Sequence, residues 1–438
     1  MDNRPAASTG AHWRVPPADG PVRSVVTLPG SKSMTNRALV LAALADGPSL
    51  VASPLRARDT LLMAGALTAL GSAVGTSASG GWPVTPGQPA GDTRVDVGNA
   101  GTVMRFVPPV AALTAATVEF HGDSRASQRP VGPLLAALRE LGAVIDDGGQ
   151  GAVPFTVRGT GSLAGGLVTV DASASSQLVS GLLLAAPRYA KGVEVRHHGP
   201  RLPSAPHIAM TVQMLRDAGA EVEAGGDPGA RPGSWRVHPG TIRHGTFGVE
   251  PDAVNAGPFL AAALVTGGTV TIAGWPARTS QPAGPMLDLL ATLGARCEVT
   301  SGELTVTGTG TIHGVTADLG DLPEMTPVAA ALAALADGPS KLTGVGHIRR
   351  QETDRLAALA TELTALGGDV TELPDGLAIR PRPLHGGVFA SYDDHRLVMA
   401  AAVLGLAVPG IEVAGAATVG KTFPGFTSLW QAMLAGAP

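Results

Sequence analysis

The chain has 438 residues, 44% hydrophobic and only 3% aromatic, with 59 glycines and a formal charge of −4 at pH 7. That length exceeds what one core usually holds, so two domains are expected, and the acidic balance excludes a general nucleic-acid binder. Cys297, the single cysteine, excludes a disulfide framework or cysteine metal cage and fits a reducing cytoplasm, and no segment approaches the roughly 18 apolar residues of a membrane span.

The Pro/Ala/Ser/Gly-rich tail to about His12 is expected to be disordered. A strand is predicted at 25–28, broken by Pro29-Gly30, and then a helix that Ser31 or Ser33 can cap and that runs through the apolar stretch 38–45. Lys32, Ser33 and Arg37 thus gather at one helix N-terminus, where unpaired N–H groups and the helix dipole favour an anion. The lysines are Lys32, Lys191, Lys341 and Lys421 alone, so one placed between two serines at a helix start is poorly explained as surface filler. A second opening of this kind, Gly98-Asn99-Ala100-Gly101-Thr102, follows a predicted strand at 94–97 and has Arg105 one turn further in. Arg125 and Arg129 stand four apart before Pro130, and their planar forks suit bidentate recognition of carboxylate or phosphate.

Helix-like segments closing on a Leu-Gly or Ala-Gly pair recur at Gly71, Gly142, Gly219, Gly294 and Gly367, 71 to 77 residues apart. Each glycine reads as a helix stop followed by an alternating strand. Between them run Ala-, Leu- and Val-rich helices that start near Ser33, Thr102, Ser176, Asn255, Thr326 and Arg396. The pattern predicts six copies of a unit with two helices and several strands, three per domain. The openings Lys32-Ser33, Asn99 to Thr102, Ser175-Ser176-Gln177, Asp252 to Asn255, Glu324-Met325-Thr326 and Asp394-His395-Arg396 hold equivalent places. If the two domains face each other, these positive helix ends converge on one cleft.

Together with Arg349-Arg350-Gln351-Glu352-Thr353-Asp354-Arg355, Ser391-Tyr392-Asp393-Asp394-His395-Arg396 and Gly420-Lys421-Thr422-Phe423-Pro424-Gly425, the chain resembles the 5-enolpyruvylshikimate-3-phosphate synthase family from about Val25 onward. The resemblance implies an α/β fold of two inverse α/β (inside-out barrel) domains, each of three βαββαβ repeats, that close over an active site in the interdomain cleft. A discontinuous domain would comprise 1–30 plus 250–438, and an inserted domain 31–249. The implied reaction transfers the enolpyruvyl group of phosphoenolpyruvate to the 5-hydroxyl of shikimate 3-phosphate, releasing phosphate, with no metal or organic cofactor. A cytoplasmic monomer, with glyphosate competing for the phosphoenolpyruvate site beside Gly101, completes what the family implies.

Carried over motif by motif, the resemblance assigns Ser33, Arg37, Ser175, Ser176, Ser204 and Gln351 to shikimate 3-phosphate, with Gln177 reaching both substrates and Lys32 lying between them. It assigns Gly101, Arg125, Arg355, Arg396 and Lys421, lined by Asn99 and Thr102, to phosphoenolpyruvate. Glu324 would be the base toward the 5-hydroxyl, also touching shikimate 3-phosphate, and Glu352 the acid toward the methylene carbon, with His395 beside them. Glu324 stands where many relatives have Asp, His207 where some have Tyr, His347 where some have Asn, and Gln351 where a phosphate-binding Lys is frequent. An enolpyruvyl transferase with another acceptor, or a non-catalytic ligand-binding module, is the alternative. The UDP-N-acetylglucosamine branch of the fold fits less well, because Ser124 fills the slot where it carries Cys or Asp.

Overall fold

The computed structural model describes residues 12–78, 80–225, 233–300 and 302–436, so the expectation of a disordered tail falls, His12 apart, outside the described residues. The chain divides into two compact units, one running Gly30–Glu250 and the other combining the residues up to Pro29 with those from Pro251 onward. Backbone bonds fix the ends of each: Ser31 N–H donates to Glu250 O at 2.8 Å in the inserted unit, and Asp252 N–H to Pro29 O at 3.1 Å in the discontinuous one.

The inserted unit holds α1 (Lys32–Leu44), α2 (Arg58–Ala69), α3 (Gly101–Ala111), α4 (Gly132–Glu140), α5 (Gln177–Ala185) and α6 (Ala205–Asp217). Its three four-stranded sheets share one order. Thr93–Asp96 runs parallel to Thr117–His121, which pairs antiparallel with Phe155–Arg158 and that in turn with Val144–Asp146. Gly166–Val170 opens the second sheet in the same way. In the third, the parallel partner of Ser49–Ala52 is Thr246–Gly248, from the far end of the unit, with Thr246 opposite Leu50. The first repeat is therefore completed by the last strand.

The discontinuous unit holds α7 (Ala253–Thr266), α8 (Ala283–Thr292), α9 (Thr326–Ala334), α10 (Arg355–Ala365), α11 (His395–Gly405) and α12 (Phe426–Leu434). Arg23–Thr27 lies parallel to Thr269–Trp275 and so closes that repeat from the N-terminal side. The sixth sheet has three strands, and its antiparallel place beside Ile411–Ala414 is taken by Trp13–Arg14. The sixth copy is thus finished by residues from the opposite end of the sequence.

The Ala-, Leu- and Val-rich helices are buried all round: every residue of α3 is buried, as is α1 from Met34 to Leu44. Such a helix has no polar face to show to water, so it must be central. In the inserted unit α1, α3 and α5 pack on one another, and in the discontinuous unit α7, α9 and α11 do. Small residues permit this; a Cβ at Gly181 of α5 would run into the Arg105 carbonyl of α3. The Gly-ended helices are buried on one side, and Gly71, Gly142, Gly219, Gly294 and Gly367 after them all have positive φ, as a left-handed stop requires.

Candidate active site

Three helix openings of the inserted unit are tied together by side chains. Ser31 caps α1 by accepting from Met34 N–H, and Asn36 Nδ2 donates to Thr102 Oγ1 of α3 at 2.6 Å. Arg105 of α3 donates to Gln177 Oε1 of α5 at 3.1 Å and to Pro130 O at 2.9 Å. Arg129 reaches the Gly-rich loop, donating to Asn99 O at 2.7 Å and Asn99 Oδ1 at 2.9 Å. Arg125 donates instead to Gln128 Oε1 at 2.5 Å. Over Gly101 the fit is close: an added Cβ would lie 2.6 Å from Arg129 Nη2, 2.9 Å from Arg105 Nη1 and 3.0 Å from Gln177 Oε1. The missing side chain is what lets these three groups meet above the helix N-terminus.

Lys32 points its ammonium to Asp59 Oδ2 at 3.4 Å, and Asp59, in the first turn of α2, is buried. Arg37 is only 1% exposed. Its guanidinium donates to Thr211 Oγ1 at 2.8 Å, Ser33 O at 3.0 Å, His207 O at 3.1 Å and Ser180 Oγ at 3.4 Å, and lies 5.1 Å from the Phe106 ring centre. Arg37 therefore joins α1, α5 and α6. Ser175 Oγ accepts from Gln177 N–H at 3.2 Å, Ser176 is buried at the start of α5, and Ser204 precedes α6 at φ 51°. A serine in that left-handed conformation costs about 1–2 kcal/mol, so the surrounding structure must impose it.

The discontinuous unit assembles a charged cluster. Arg355, at the start of α10, binds both carboxylate oxygens of Asp394, Nε to Oδ2 at 2.7 Å and Nη2 to Oδ1 at 3.2 Å. It also donates to Glu352 Oε2 at 3.0 Å and to Gln351 Oε1. Lys421 Nζ donates to the other oxygen of Glu352 at 2.9 Å. Asp394 is fully buried and caps α11 by accepting from Arg396 N–H at 2.9 Å, while Arg396 Nη1 donates to Asn255 Oδ1 of α7 at 3.1 Å. His395 is buried, with Nδ1 3.6 Å from Asp394 Oδ1. Glu324 sits in the short turn Pro323–Met325 just ahead of α9.

Burial drags the Arg355 guanidinium down, but the charges of Asp394 and Glu352, with Glu324 adding to them, more than offset it and hold Arg355 above its ordinary range. Burial pulls Arg396 below its ordinary range; Asp252 opposes this, Arg355 reinforces it and Glu324 opposes it. Three cations (Arg355, Arg396 and Lys421) and four carboxylates (Asp252, Glu324, Glu352 and Asp394) thus share one neighbourhood. The corner carrying Asp394 is also strained, because Tyr392 and Asp393 have φ of 52° and 56°. Two such residues cost roughly 2–4 kcal/mol together.

A family profile for EPSP synthase (3-phosphoshikimate 1-carboxyvinyltransferase) matches residues 17–430. The chain belongs to the EPSP synthase family. It is 51% identical over 433 residues to the 3-phosphoshikimate 1-carboxyvinyltransferase of Kocuria rhizophila, covering 96% of each. An EPSP synthase structure from Acinetobacter baumannii matches with a TM-score of 0.79 at 25% identity, covering 98% of both chains. The enolpyruvyl transferase NikO from Streptomyces tendae shares the fold, with a TM-score of 0.75 at 18% identity over 95% of this chain and 96% of that one.

In this chain, sequence reasoning assigned no role to Asn36 and Asp59, offered Arg129 only as a fork suited to an anion, named Asn255 and Asp394 only within helix openings, and placed Arg105 only as a residue near the Gly-rich loop. Arg105 had a signal, a charge inside an otherwise apolar helix, and Asp59 another, an acid in a helix first turn. Among the described residues, Glu221, Glu223 and His238 bring three ligand atoms within 4.8 Å of one another, the arrangement a metal would need, and none of them is a candidate site residue. No helix among the described residues is long and apolar enough to cross a membrane.

Proposed function

We propose that this chain transfers the enolpyruvyl group of phosphoenolpyruvate to the 5-hydroxyl of shikimate 3-phosphate, the step that leads toward chorismate and the aromatic amino acids. The observation that carries this is the 51% identity, over nearly the whole length, to a relative named for that reaction. Two polyanionic substrates demand buried cations and helix N-termini, and both units present them.

In this reading Lys32, Ser33, Arg37, Ser175, Ser176, Gln177 and Ser204 hold shikimate 3-phosphate, together with Gln351. Asn99, Gly101, Thr102, Arg125, Arg355, Arg396 and Lys421 hold phosphoenolpyruvate. Glu324 takes the proton of the 5-hydroxyl as its oxygen bonds to C2 of phosphoenolpyruvate, and Glu352 gives a proton to the methylene C3. The methyl group of the adduct then returns a proton to the Glu352 carboxylate while the C2–O bond to phosphate breaks, restoring the double bond and releasing phosphate. Paired with Arg355 and Lys421, Glu352 is held as a carboxylate, so this division depends on the incoming anion displacing those pairs. An anion that takes over the two cations releases the carboxyl group beside the reacting carbon.

Glyphosate, itself an anion, competes in this reading for the phosphoenolpyruvate cations. The test is phosphate release from phosphoenolpyruvate, measured with shikimate 3-phosphate and with a panel of other hydroxylated acceptors. Release that depends on shikimate 3-phosphate and is blocked competitively by glyphosate supports the reading. Release that responds only to another acceptor moves the chain to a different enolpyruvyl transfer, and no release with any acceptor overturns it.

A further inference from the structure

We infer that Glu362 and Tyr392 are positioning residues for the phosphoenolpyruvate cations, acting through the strained corner that carries Asp394. This rests on the reading of Arg355 and Arg396 as phosphoenolpyruvate ligands.

The corner is a tight turn. Asp394 N–H donates to Ser391 O at 2.8 Å, and the two residues between them, Tyr392 and Asp393, are both left-handed. A turn with two positive φ values ordinarily takes Asn or Gly at its centre, and an aromatic residue there is an outlier. Local sequence therefore disfavours this conformation, and other contacts must hold it.

Those contacts come from α10. Glu362, fully buried on that helix, accepts from Tyr392 OH at 2.8 Å and from Ala390 N–H at 3.1 Å. Seven residues earlier on the same helix, and so on the same face, Arg355 grips both oxygens of Asp394. One helix face thus holds the corner at two points of opposite polarity, a carboxyl group at its entrance and a guanidinium at its exit. Ser391 Oγ adds a bond to Gly415 O at 3.1 Å.

The corner sets two cations at once. Asp394 fixes the Arg355 guanidinium and caps α11 at Arg396, so relaxing the turn moves the carboxylate that orients one cation and the helix start that carries the other. The Tyr392 hydroxyl to Glu362 bond is the part of this arrangement that can be removed without touching a charged ligand-holding group.

The test compares wild type with Tyr392→Phe, Glu362→Gln and the double variant Tyr392→Phe/Asp393→Gly. It measures KM for each substrate, kcat, melting temperature and the calorimetric dissociation constant for phosphoenolpyruvate. Loss of one hydrogen bond to a buried carboxyl group should raise KM and Kd for phosphoenolpyruvate about 5- to 20-fold in Tyr392→Phe. KM for shikimate 3-phosphate should stay within about twofold, and Glu362→Gln should have a smaller effect than Tyr392→Phe, since its Oε1 can still accept from Ala390 N–H while its NH2 donates to the Tyr392 hydroxyl. Asp393→Gly relieves one left-handed residue and should bring Tyr392→Phe back to within about threefold of wild type. Unchanged phosphoenolpyruvate affinity in Tyr392→Phe, or an equal rise in both KM values with a lowered melting temperature, overturns the inference. A wild type that binds phosphoenolpyruvate but shows no turnover with shikimate 3-phosphate would count against the proposed reaction, and the binding ratio would still decide the positioning role.

Discussion

At the helix openings of the inserted unit, arginines are held by neutral groups: Arg105 by Gln177 and a carbonyl, Arg129 by Asn99, Arg37 by hydroxyls and carbonyls. In the discontinuous unit the same kind of opening is held by charge, with Arg355 on Asp394 and Glu352, and Lys421 on Glu352. An anion meeting the first set displaces no carboxylate from those arginines, although Lys32 in the same unit already faces the buried Asp59. One meeting the second must compete with a carboxylate already in place, and hydrogen bonds to charged groups are worth about 1.5–3 kcal/mol each. In the proposed reaction this difference would give the two clusters unequal tasks, the first receiving an anion directly and the second exchanging an internal carboxylate for it.

The sharpest way to break this comparison is Arg355→Ala. It leaves Asp394 and Glu352 buried beside a missing cation, so it should cost about 3–5 kcal/mol of stability and at least about 10³ in kcat/KM. Chemical denaturation and the phosphate-release assay measure the two. A neutral substitution in the other cluster, Gln177→Ala, should cost less, about 1.5–3 kcal/mol, because it removes one bond to a cation and leaves no carboxylate unpaired. Equal losses would erase the distinction between the clusters.

Glu324→Gln comes next. It keeps shape and hydrogen bonding but removes the base, so kcat should fall by about 10² while shikimate 3-phosphate affinity changes little, as calorimetry would show. Equal loss of binding and turnover would make Glu324 a structural residue of the turn before α9.

Gly101→Ala probes the neutral cluster by steric means. The new methyl meets the ends of Arg129, Arg105 and Gln177, which are flexible, so the cost should stay near the lower end of the roughly 1–3 kcal/mol usual for overpacking. Glyphosate titrated at several phosphoenolpyruvate concentrations should show a larger loss for the inhibitor than for the substrate. An unchanged inhibition constant would remove Gly101 from the binding region.

What could be read in the sequence was local. The helix stops at Gly71, Gly142, Gly219, Gly294 and Gly367 and the polar openings before apolar runs carry their own signals, because capping and left-handed stops depend on a few adjacent residues. The pairings that build the site are long-range and leave no such trace. Asp59 lies 27 residues from Lys32 in sequence, Gln177 lies 72 from Arg105 and Glu352 lies 69 from Lys421. The repeat pattern likewise says nothing of Trp13–Arg14 completing a sheet with residues nearly 400 positions away. Arg37 was legible as a cation at a helix start, but not as the buried link between three helices.

The exchange of anions at Glu352 is tested most directly by the dissociation constant of phosphoenolpyruvate, measured with shikimate 3-phosphate present, for wild type and Glu352→Gln. If Glu352 occupies Arg355 and Lys421 until the ligand arrives, the amide should free both cations and tighten binding by about 3- to 10-fold, a gain of roughly 1 kcal/mol, even as turnover collapses. Unchanged or weaker binding in Glu352→Gln would contradict the account.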